Sequence, residues 1–287
     1  MEYLVKSGSP EKQRVGCVIV GIFDRRKPST QAESLDEASG GLIASVMRRG
    51  DMDGKLGQTT LLHGLDHMFC DRILLVGCGK MGRALGTGWL ARGLPPNNLL
   101  AVEPDNSNAT AANAEGIAVV ARPEDLYPDF TPDWTVLAVK PQVLAAAAAY
   151  AQFSATSHYL SIVAGKTLAE LTALLGQDAR VVRAMPNTPV AVGRGITATV
   201  AGEGVLPAAR EKCTALLAAV GDVVWLDEEA MMDAVTAVSG SGPAYVFLLI
   251  ECLSEAGRQA GLPTGLAGRL ALATVAGAGE LARLSEE

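Results

Sequence analysis

Apolar and polar positions along this chain fall into three regimes. Over residues 1–70, an apolar run at 15–23 predicts a strand. A loop with Pro28, a helix over about 31–48 and a short strand near Gln58 to Leu62 follow. From residue 71 to about 230, short β-branched and leucine-rich runs alternate with helix-favouring segments, the pattern of a parallel sheet with crossover helices. The predicted strands are Ile73–Val76, Leu99–Val102, Ile117–Val120, Thr135–Val139, Tyr159–Val163, Val181–Ala184, Ile196–Val200 and Val223–Leu226. Helices are predicted near 81–92, 107–115, 142–152, 167–175 and 207–220. From about 228 onward the pattern is helical only. Ser241-Gly242-Pro243 reads as an N-cap with proline in the first turn. Ala244 to Ala256 then carries a broad apolar face, Gly257 and Gly261-Leu262-Pro263 punctuate it, and a last helix covers about 265–284. So apolar a pair of helices on so small a domain predicts burial against a second subunit.

The stretch that carries most chemistry is Asp71 to Gly82. Ile73 to Val76 enters a glycine turn that leaves into a helix-compatible segment, and Gly77, Gly79 and Gly82 take the spacing of the dinucleotide-binding fingerprint. The first glycine permits the tight turn, the second lets the backbone approach a pyrophosphate, and the third lets helix pack on strand. The helix N-terminus, at Lys80 and Met81, adds unpaired N–H groups and a positive dipole end. About twenty residues on, Glu103 closes the next apolar run. A carboxylate there can accept hydrogen bonds from ribose hydroxyls and would repel a 2′-phosphate. Pro104 to Asn108 contains no Lys or Arg. The expected cofactor is therefore NADH or NADPH, with the lean to NADH; the alternative for Glu103 is a solvent-facing side chain beside the turn. The fold class is α/β: a Rossmann-type nucleotide-binding domain, then an all-helical dimerisation domain, with a small α/β N-terminal prefix. The expected boundaries are 1–70, 71–229 and 230–287.

Composition narrows the partners. Of 287 residues, 49% are hydrophobic and 5% aromatic, and the net charge is −7. Residues 1–70 balance nine basic against nine acidic side chains, so the whole excess of acid lies in 71–287. With no basic patch interleaved with aromatics, nucleic acid is not an expected partner. No apolar run approaches the length of a membrane span, and the stretch at 15–23 runs into Asp24-Arg25-Arg26 without a cleavage site, so neither membrane nor secretion is expected. The five cysteines (17, 70, 78, 213, 252) form no C-x-x-C pair and the three histidines (63, 67, 158) no ligand constellation. They read as reduced thiols in a cytoplasmic protein with no metal site.

Three more stretches fall at successive predicted strand ends, where such a sheet places its ligands. Val139-Lys140-Pro141-Gln142 turns the backbone out of one strand. Ala164-Gly165-Lys166 follows the next, with Gly165 open to close approach. Met185-Pro186-Asn187-Thr188-Pro189 uses two prolines to hold an amide and a hydroxyl in place.

With these motifs residues 71–284 resemble the Δ1-pyrroline-5-carboxylate reductases. The resemblance rests on Gly77-Cys78-Gly79-Lys80-Met81-Gly82, Ala138-Val139-Lys140-Pro141-Gln142, Met185 to Pro189 with Gly193, and Val238-Ser239-Gly240-Ser241-Gly242-Pro243-Ala244-Tyr245. It implies a Rossmann domain, an all-helical domain that dimerises and completes the active site, and reduction of a cyclic imine to L-proline by hydride from a nicotinamide. It also implies that Gly79, Lys80, Met81, Val139, Lys140, Pro141 and Gly165 line the cofactor, with Asn187 near the nicotinamide. Ser239, Gly240 and Ser241 would lie near the substrate, where the first dimerisation helix opens. Hydride transfer to an electrophilic imine demands mostly positioning, which suits a sequence with no His/Asp dyad. The family continues with a Ser-Pro-Gly-Gly-(Thr/Ala)-Thr segment that grips the substrate carboxylate. Since this sequence stops at Glu287, its helical domain is expected to be incomplete.

The first 70 residues resemble a different family. Met1 to Arg14, Arg48-Arg49-Gly50-Asp51 and Gly57 to His63 look like the start of a leucyl aminopeptidase, and Arg72 to Lys80 suits either parent. That family's metal-binding Asn-Thr-Asp-Ala-Glu-Gly-Arg motif does not occur, so peptidase activity is not expected and the segment reads as an accessory or chimeric prefix. Two rival readings remain for the whole chain: another small-imine or hydroxy-acid Rossmann oxidoreductase, and a catalytically disabled nucleotide-binding or interaction protein.

Overall fold

The computed structural model describes residues 20–38, 41–56, 58, 60, 72–126, 130–148 and 158–285. The chain forms two compact units, Met1–His67 and Met68–Glu287.

In the first unit, β1 (Ile22–Phe23) and β2 (Lys27–Pro28) make a short antiparallel hairpin, followed by α1 (Thr30–Ala38) and α2 (Leu42–Arg49). The single helix expected over 31–48 is thus two. Gly41 interrupts it with a left-handed φ of 92°, a conformation that costs glycine nothing and ends a helix. The Gly41 N–H returns to the Asp36 carbonyl, and the Asp36 carboxylate accepts the Ala44 N–H of the next helix at 2.9 Å. Of the strand expected over 15–23, only the end is described, as β1. Gln58 and Thr60 lie outside any strand, and the rest of that expected element is outside the described residues.

The second unit is built on an eight-stranded sheet. Its elements are β3 (Ile73–Val76), α3 (Lys80–Ala91), β4 (Leu99–Val102), α4 (Asn106–Ala114), β5 (Ala118–Val120), β6 (Trp134–Leu137), α5 (Leu144–Ala147), β7 (His158–Ser161), α6 (Leu168–Leu175), β8 (Arg180–Pro186), β9 (Gly195–Ala201), α7 (Pro207–Ala218) and β10 (Gly221–Trp225). The strand order is β10-β9-β8-β7-β6-β3-β4-β5. Six strands, β3 to β8, run parallel. The expectation of a wholly parallel sheet fails at one joint: β8 and β9 are antiparallel, so β9 and its parallel neighbour β10 point the other way. The reason is a short connection. A 3₁₀ turn at Thr188–Val192 and the left-handed Gly193 (φ 67°) return the chain directly, whereas a parallel return needs a dozen or more residues.

All residues of β3 and β4 are buried, which is why both read as unbroken apolar runs rather than alternating ones. Alternate residues serve opposite faces. Ile73 and Leu75 pack with Leu85, Trp89, Leu216 and Leu217 under α3 and α7, while Leu74 and Val76 pack with Leu144, Tyr159 and Leu171 under α5 and α6. The buried Trp89 donates its indole N–H to the Leu216 carbonyl at 2.9 Å, so the bulkiest core side chain leaves no polar atom unpaired. The helix expected over 142–152 opens with a 3₁₀ turn at Pro141–Val143 and continues as α5; residues 149–157 are outside the described ones.

After β10 and a short loop, the regular elements among the described residues are all helical. A 3₁₀ turn at Glu229–Met231, α8 (Met232–Val235), a π-turn at Thr236–Gly240 and α9 (Gly242–Gln259) form one run, and α10 (Thr264–Leu284) packs beside it. Small residues set that packing: a Cβ on Gly257 would come within 3.2 Å of the Ala267 Cβ. The expected N-cap at Ser241 is not one. The residue has helical dihedrals and its N–H donates to the Thr236 carbonyl at 2.8 Å, five residues back, so the helix passes through Ser241. Pro243 is tolerated because the wide turn precedes it. One sequence expectation needs correcting: the run Glu229–Gln259 is long and apolar enough, by length and composition alone, to cross a membrane. Its apolar side chains, with those of α10, form an exposed face that includes Phe247 (61% exposed), Leu248, Leu270 and Leu281.

Candidate active site

The parallel strands β3 to β8 all end on one edge of the sheet, and the order reverses between β3 and β6: the chain runs outward from β3 through β4 to β5, then returns to β6 on the other side. Ligands of open α/β sheets bind in the crevice at such a switch point. Here the crevice mouth holds the glycine turn. Gly77 adopts φ +88°, and a Cβ on it would strike Val139 Cγ1 and the Ala138 carbonyl at 2.7 and 2.8 Å. The turn at the end of β3 is therefore pressed against the segment leaving β6. Gly82, one turn into α3, lies so close to the Gly77 carbonyl oxygen that any side chain would overlap it. Gly79 differs: its φ is −69°, and a Cβ there would meet nothing within 4 Å. Backbone without a side chain, facing open space at the N-terminus of a twelve-residue helix, suits a pyrophosphate, with the N–H groups of Lys80 and Met81 as donors.

Glu103 ends β4, is buried, and bridges two loops. One carboxylate oxygen accepts the Cys78 N–H at 2.7 Å and the other accepts the Asp105 N–H at 3.0 Å. The side chain thus faces the glycine turn, not solvent. A carboxylate has roughly four acceptor positions, so two backbone donors leave capacity for hydroxyl groups. Burial, with the nearby Glu103 charge, pushes the Cys78 thiol up to about 12, so it sits in the turn as a neutral, unreactive side chain.

The other predicted positions line the same edge. Val139 is half-buried against Gly77, Lys140 is exposed, and Pro141 opens the 3₁₀ turn after β6. Gly165, after β7, has φ +68° and open space where a Cβ would be. Asn187 follows β8, and its amide is oriented by two contacts: Oδ1 accepts the Ile196 N–H at 3.0 Å, which turns Nδ2 toward Ser239 Oγ at 3.3 Å. Two motifs fifty-two residues apart therefore meet. Gly240 seals the junction, since a Cβ on it would lie 2.6 Å from Met185 Cε. Ser241 is in the same helical turn, engaged through its backbone. Among the described residues, no cluster of three His, Cys, Asp or Glu side chains has the geometry of a metal site.

Two residues at this edge escaped the sequence reading. Arg183 on β8 is buried and ion-pairs with Glu229, the first residue of the helical run. The signal was present: a lone charge inside the apolar run Val181 to Ala184 demands a partner.

A glycine turn at the switch point, an acidic residue closing the second strand and a helical domain meeting the sheet's ligand edge define a Rossmann-fold dinucleotide-binding protein. Known proteins narrow this. Residues 229–287 match the family described as pyrroline-5-carboxylate reductase dimerisation, and residues 72–165 match NADP oxidoreductase coenzyme F420-dependent. The pyrroline-5-carboxylate reductase of Pseudomonas aeruginosa is 41% identical over 222 residues, covering 76% of this chain and 81% of that protein. A structure of the pyrroline carboxylate reductase of Plasmodium falciparum with NADP bound superposes with a TM-score of 0.66 at 29% identity, covering 75% of this chain and 80% of that one. The chain belongs to the pyrroline-5-carboxylate reductase family. Residues 19–100 also match the N-terminal domain of the cytosol aminopeptidase family. A probable cytosol aminopeptidase of Thioalkalivibrio sulfidiphilus is 61% identical over 80 residues, 28% of this chain but 16% of that protein. The two matches overlap at 72–100, where strand, glycine turn and helix suit both.

Proposed function

We propose that this protein reduces L-1-pyrroline-5-carboxylate to L-proline with NADH or NADPH, the last step of proline biosynthesis, as a cytoplasmic homodimer or higher homo-oligomer. The observation that carries this reading is the junction of Asn187 with Ser239, because it brings the helical domain to the edge of the sheet that holds the glycine turn. In this reading residues 71–229 hold the cofactor, residues 230–287 supply the subunit interface and the substrate side, and residues 1–70 form an aminopeptidase-like prefix.

The geometry supports the following roles. Gly77, Gly79, Lys80, Met81 and Gly82 seat the pyrophosphate on the N-terminus of α3, and Glu103 faces the adenosine ribose. Val139, Lys140, Pro141 and Gly165 line the far half of the crevice. The nicotinamide, when bound, supplies the hydride. Asn187 is held against rotation by Ile196, so it fixes the position of the Ser239 hydroxyl. Ser239 accepts from Asn187 and keeps its own hydrogen for an acceptor on the substrate, with Gly240 and Ser241 lending backbone nearby. An iminium carbon is already electrophilic, so most of the barrier is lowered by orientation. Neither a different oxidoreductase nor a disabled scaffold is favoured by the relatives.

The direct test is oxidation of NADH, and separately NADPH, with and without pyrroline-5-carboxylate. Substrate-dependent oxidation with proline as product is expected; cofactor binding without turnover would overturn the reading. Glu103 offers a finer test. Glu103→Ser should cost about 2 kcal/mol of stability, because two backbone N–H groups lose a charged acceptor, and should raise NADPH affinity relative to NADH. Denaturant unfolding and titration calorimetry read the two effects separately. An unchanged affinity ratio would leave Glu103 a loop clamp without a part in cofactor choice.

A further inference from the structure

One carboxylate ties the helical run to two of the elements that border the site. Glu229 Oε1 accepts a hydrogen bond from the Arg183 guanidinium on β8 and another from the backbone N–H of Leu168 at 2.8 Å. Leu168 is the first residue of α6, three positions after Gly165. Arg183 lies four residues before Asn187 on the same chain direction, and Glu229 lies ten residues before Ser239 along one helical run. The two junctions, Arg183 with Glu229 and Asn187 with Ser239, therefore fasten the same strand to the same helical run at two points. The Arg183 side chain is 9% exposed, so its charge has no alternative partner in water.

We infer that Glu229 is a positioning residue for imine reduction. It holds the start of the helical run against β8 and α6, so that the π-turn presents Ser239 to Asn187. This rests on the functional reading above. Apolar packing of Met232 and Val235 with Ala198, Val200, Leu168 and Met185 keeps the run on the sheet, and the directional bonds at Glu229 and Ser239 set its register. Without Glu229, Asn187 and Ser239 still exist and the packing persists, but the run loses the polar clamp at its start and the hydroxyl loses its fixed place. Arg183 is then left buried without its counter-charge. The effect falls on the substrate side, since the hydrogen bonds of Glu229 go to β8 and the start of α6 rather than to α3 or the glycine turn.

The test compares Glu229→Ala with Glu229→Gln in the full chain. The glutamine keeps an oxygen for the Leu168 N–H and for Arg183 but loses the charge. Glu229→Ala should lower kcat for pyrroline-5-carboxylate about thirtyfold, with NADH affinity within about threefold of the parent, and Glu229→Gln should recover most of the loss. Hydrogen exchange supplies a readout independent of turnover. In Glu229→Ala, amides of residues 236–243 should exchange about tenfold faster, while those of residues 80–91 are unchanged. If the parent binds cofactor but does not turn over, the functional reading fails and the exchange data alone decide the positioning role. Unchanged exchange at 236–243 would overturn it. So would equal kinetic loss in both variants, or a loss that falls on NADH affinity. If Glu229→Ala does not fold, Glu229→Asp carries the test, since it keeps the charge but falls one methylene short of Arg183 and Leu168: it must show a kcat lowered more than NADH affinity, and parent-like kinetics with parent-like exchange at 236–243 would overturn the role.

Discussion

Gly79→Val should lose affinity for NADH and NADPH by roughly a hundredfold, the upper end of what forced overpacking costs at about 3 kcal/mol, while the protein melts at the parent's temperature. The separation is possible because of what surrounds this glycine. Its φ of −69° is open to any residue, and a Cβ placed on it meets no protein atom within 4 Å. The added methyl groups therefore enter only the space reserved for a ligand. Gly82→Ala is the contrasting control. Its Cβ would overlap the Gly77 carbonyl oxygen, so it must push α3 off β3 and lower the melting temperature. Calorimetric titration with each cofactor, beside a thermal scan, checks both variants. Parent-like affinity in Gly79→Val would mean that the turn is structural and that the pyrophosphate lies elsewhere.

The second large effect is on assembly. Phe247→Glu should convert the homo-oligomer to a smaller species, read as a drop in mass by sedimentation velocity. Phe247 is 61% exposed in the single subunit, at the centre of the apolar face of α9, flanked by Val246 and Leu248. A carboxylate there is solvated in the monomer and desolvated in an interface, so the fold tolerates it and the association does not. Loss of a central aromatic anchor typically costs about 2 kcal/mol or more of binding, and an uncompensated buried charge adds to it. The far-ultraviolet spectrum should be unchanged. A mass equal to the parent's would move the interface to another part of the helical pair.

The nucleotide-binding half was legible in the sequence because its physics is local. Ile73–Val76 and Leu99–Val102 are buried on both faces, so they read as unbroken apolar runs, and the observed strands have the expected bounds. Gly77 and Gly82 are glycines for reasons of space that any strand–turn–helix would share. What sequence reading missed depends on partners far along the chain. Val181 to Ala184 and Ile196 to Val200 look alike whichever way they run; the five-residue turn between them decides, and it reverses β9 and β10. Ser241-Gly242-Pro243 has the residues of a helix start, yet upstream residues already form helix and carry through it. Glu229 carries no local signal beside Asp227 and Glu228, because its part depends on Arg183, 46 residues earlier. The meeting of Asn187 with Ser239 was not foreseen, since no spacing rule links positions fifty-two residues apart; the family resemblance put one near the nicotinamide and the other near the substrate, separately.

The π-turn at Thr236–Gly240 has a consequence for phase. A turn closed by a bond five residues back completes about one circle with one residue more than an α-turn, so it takes up a surplus residue without turning the helix beyond it. Upstream, the run is pinned through Glu229; downstream, it carries the apolar face of α9. Removing one residue from Thr236–Gly240 would close an ordinary α-turn and leave the bearing of Phe247 and Leu248 nearly unchanged, whereas removing one from the α-helical stretch on either side would swing that face by about 100° relative to Glu229. The angle between subunit contact and active site is thus held by the α-helical turns, and the wide turn is where the assembly should best tolerate the loss of a residue.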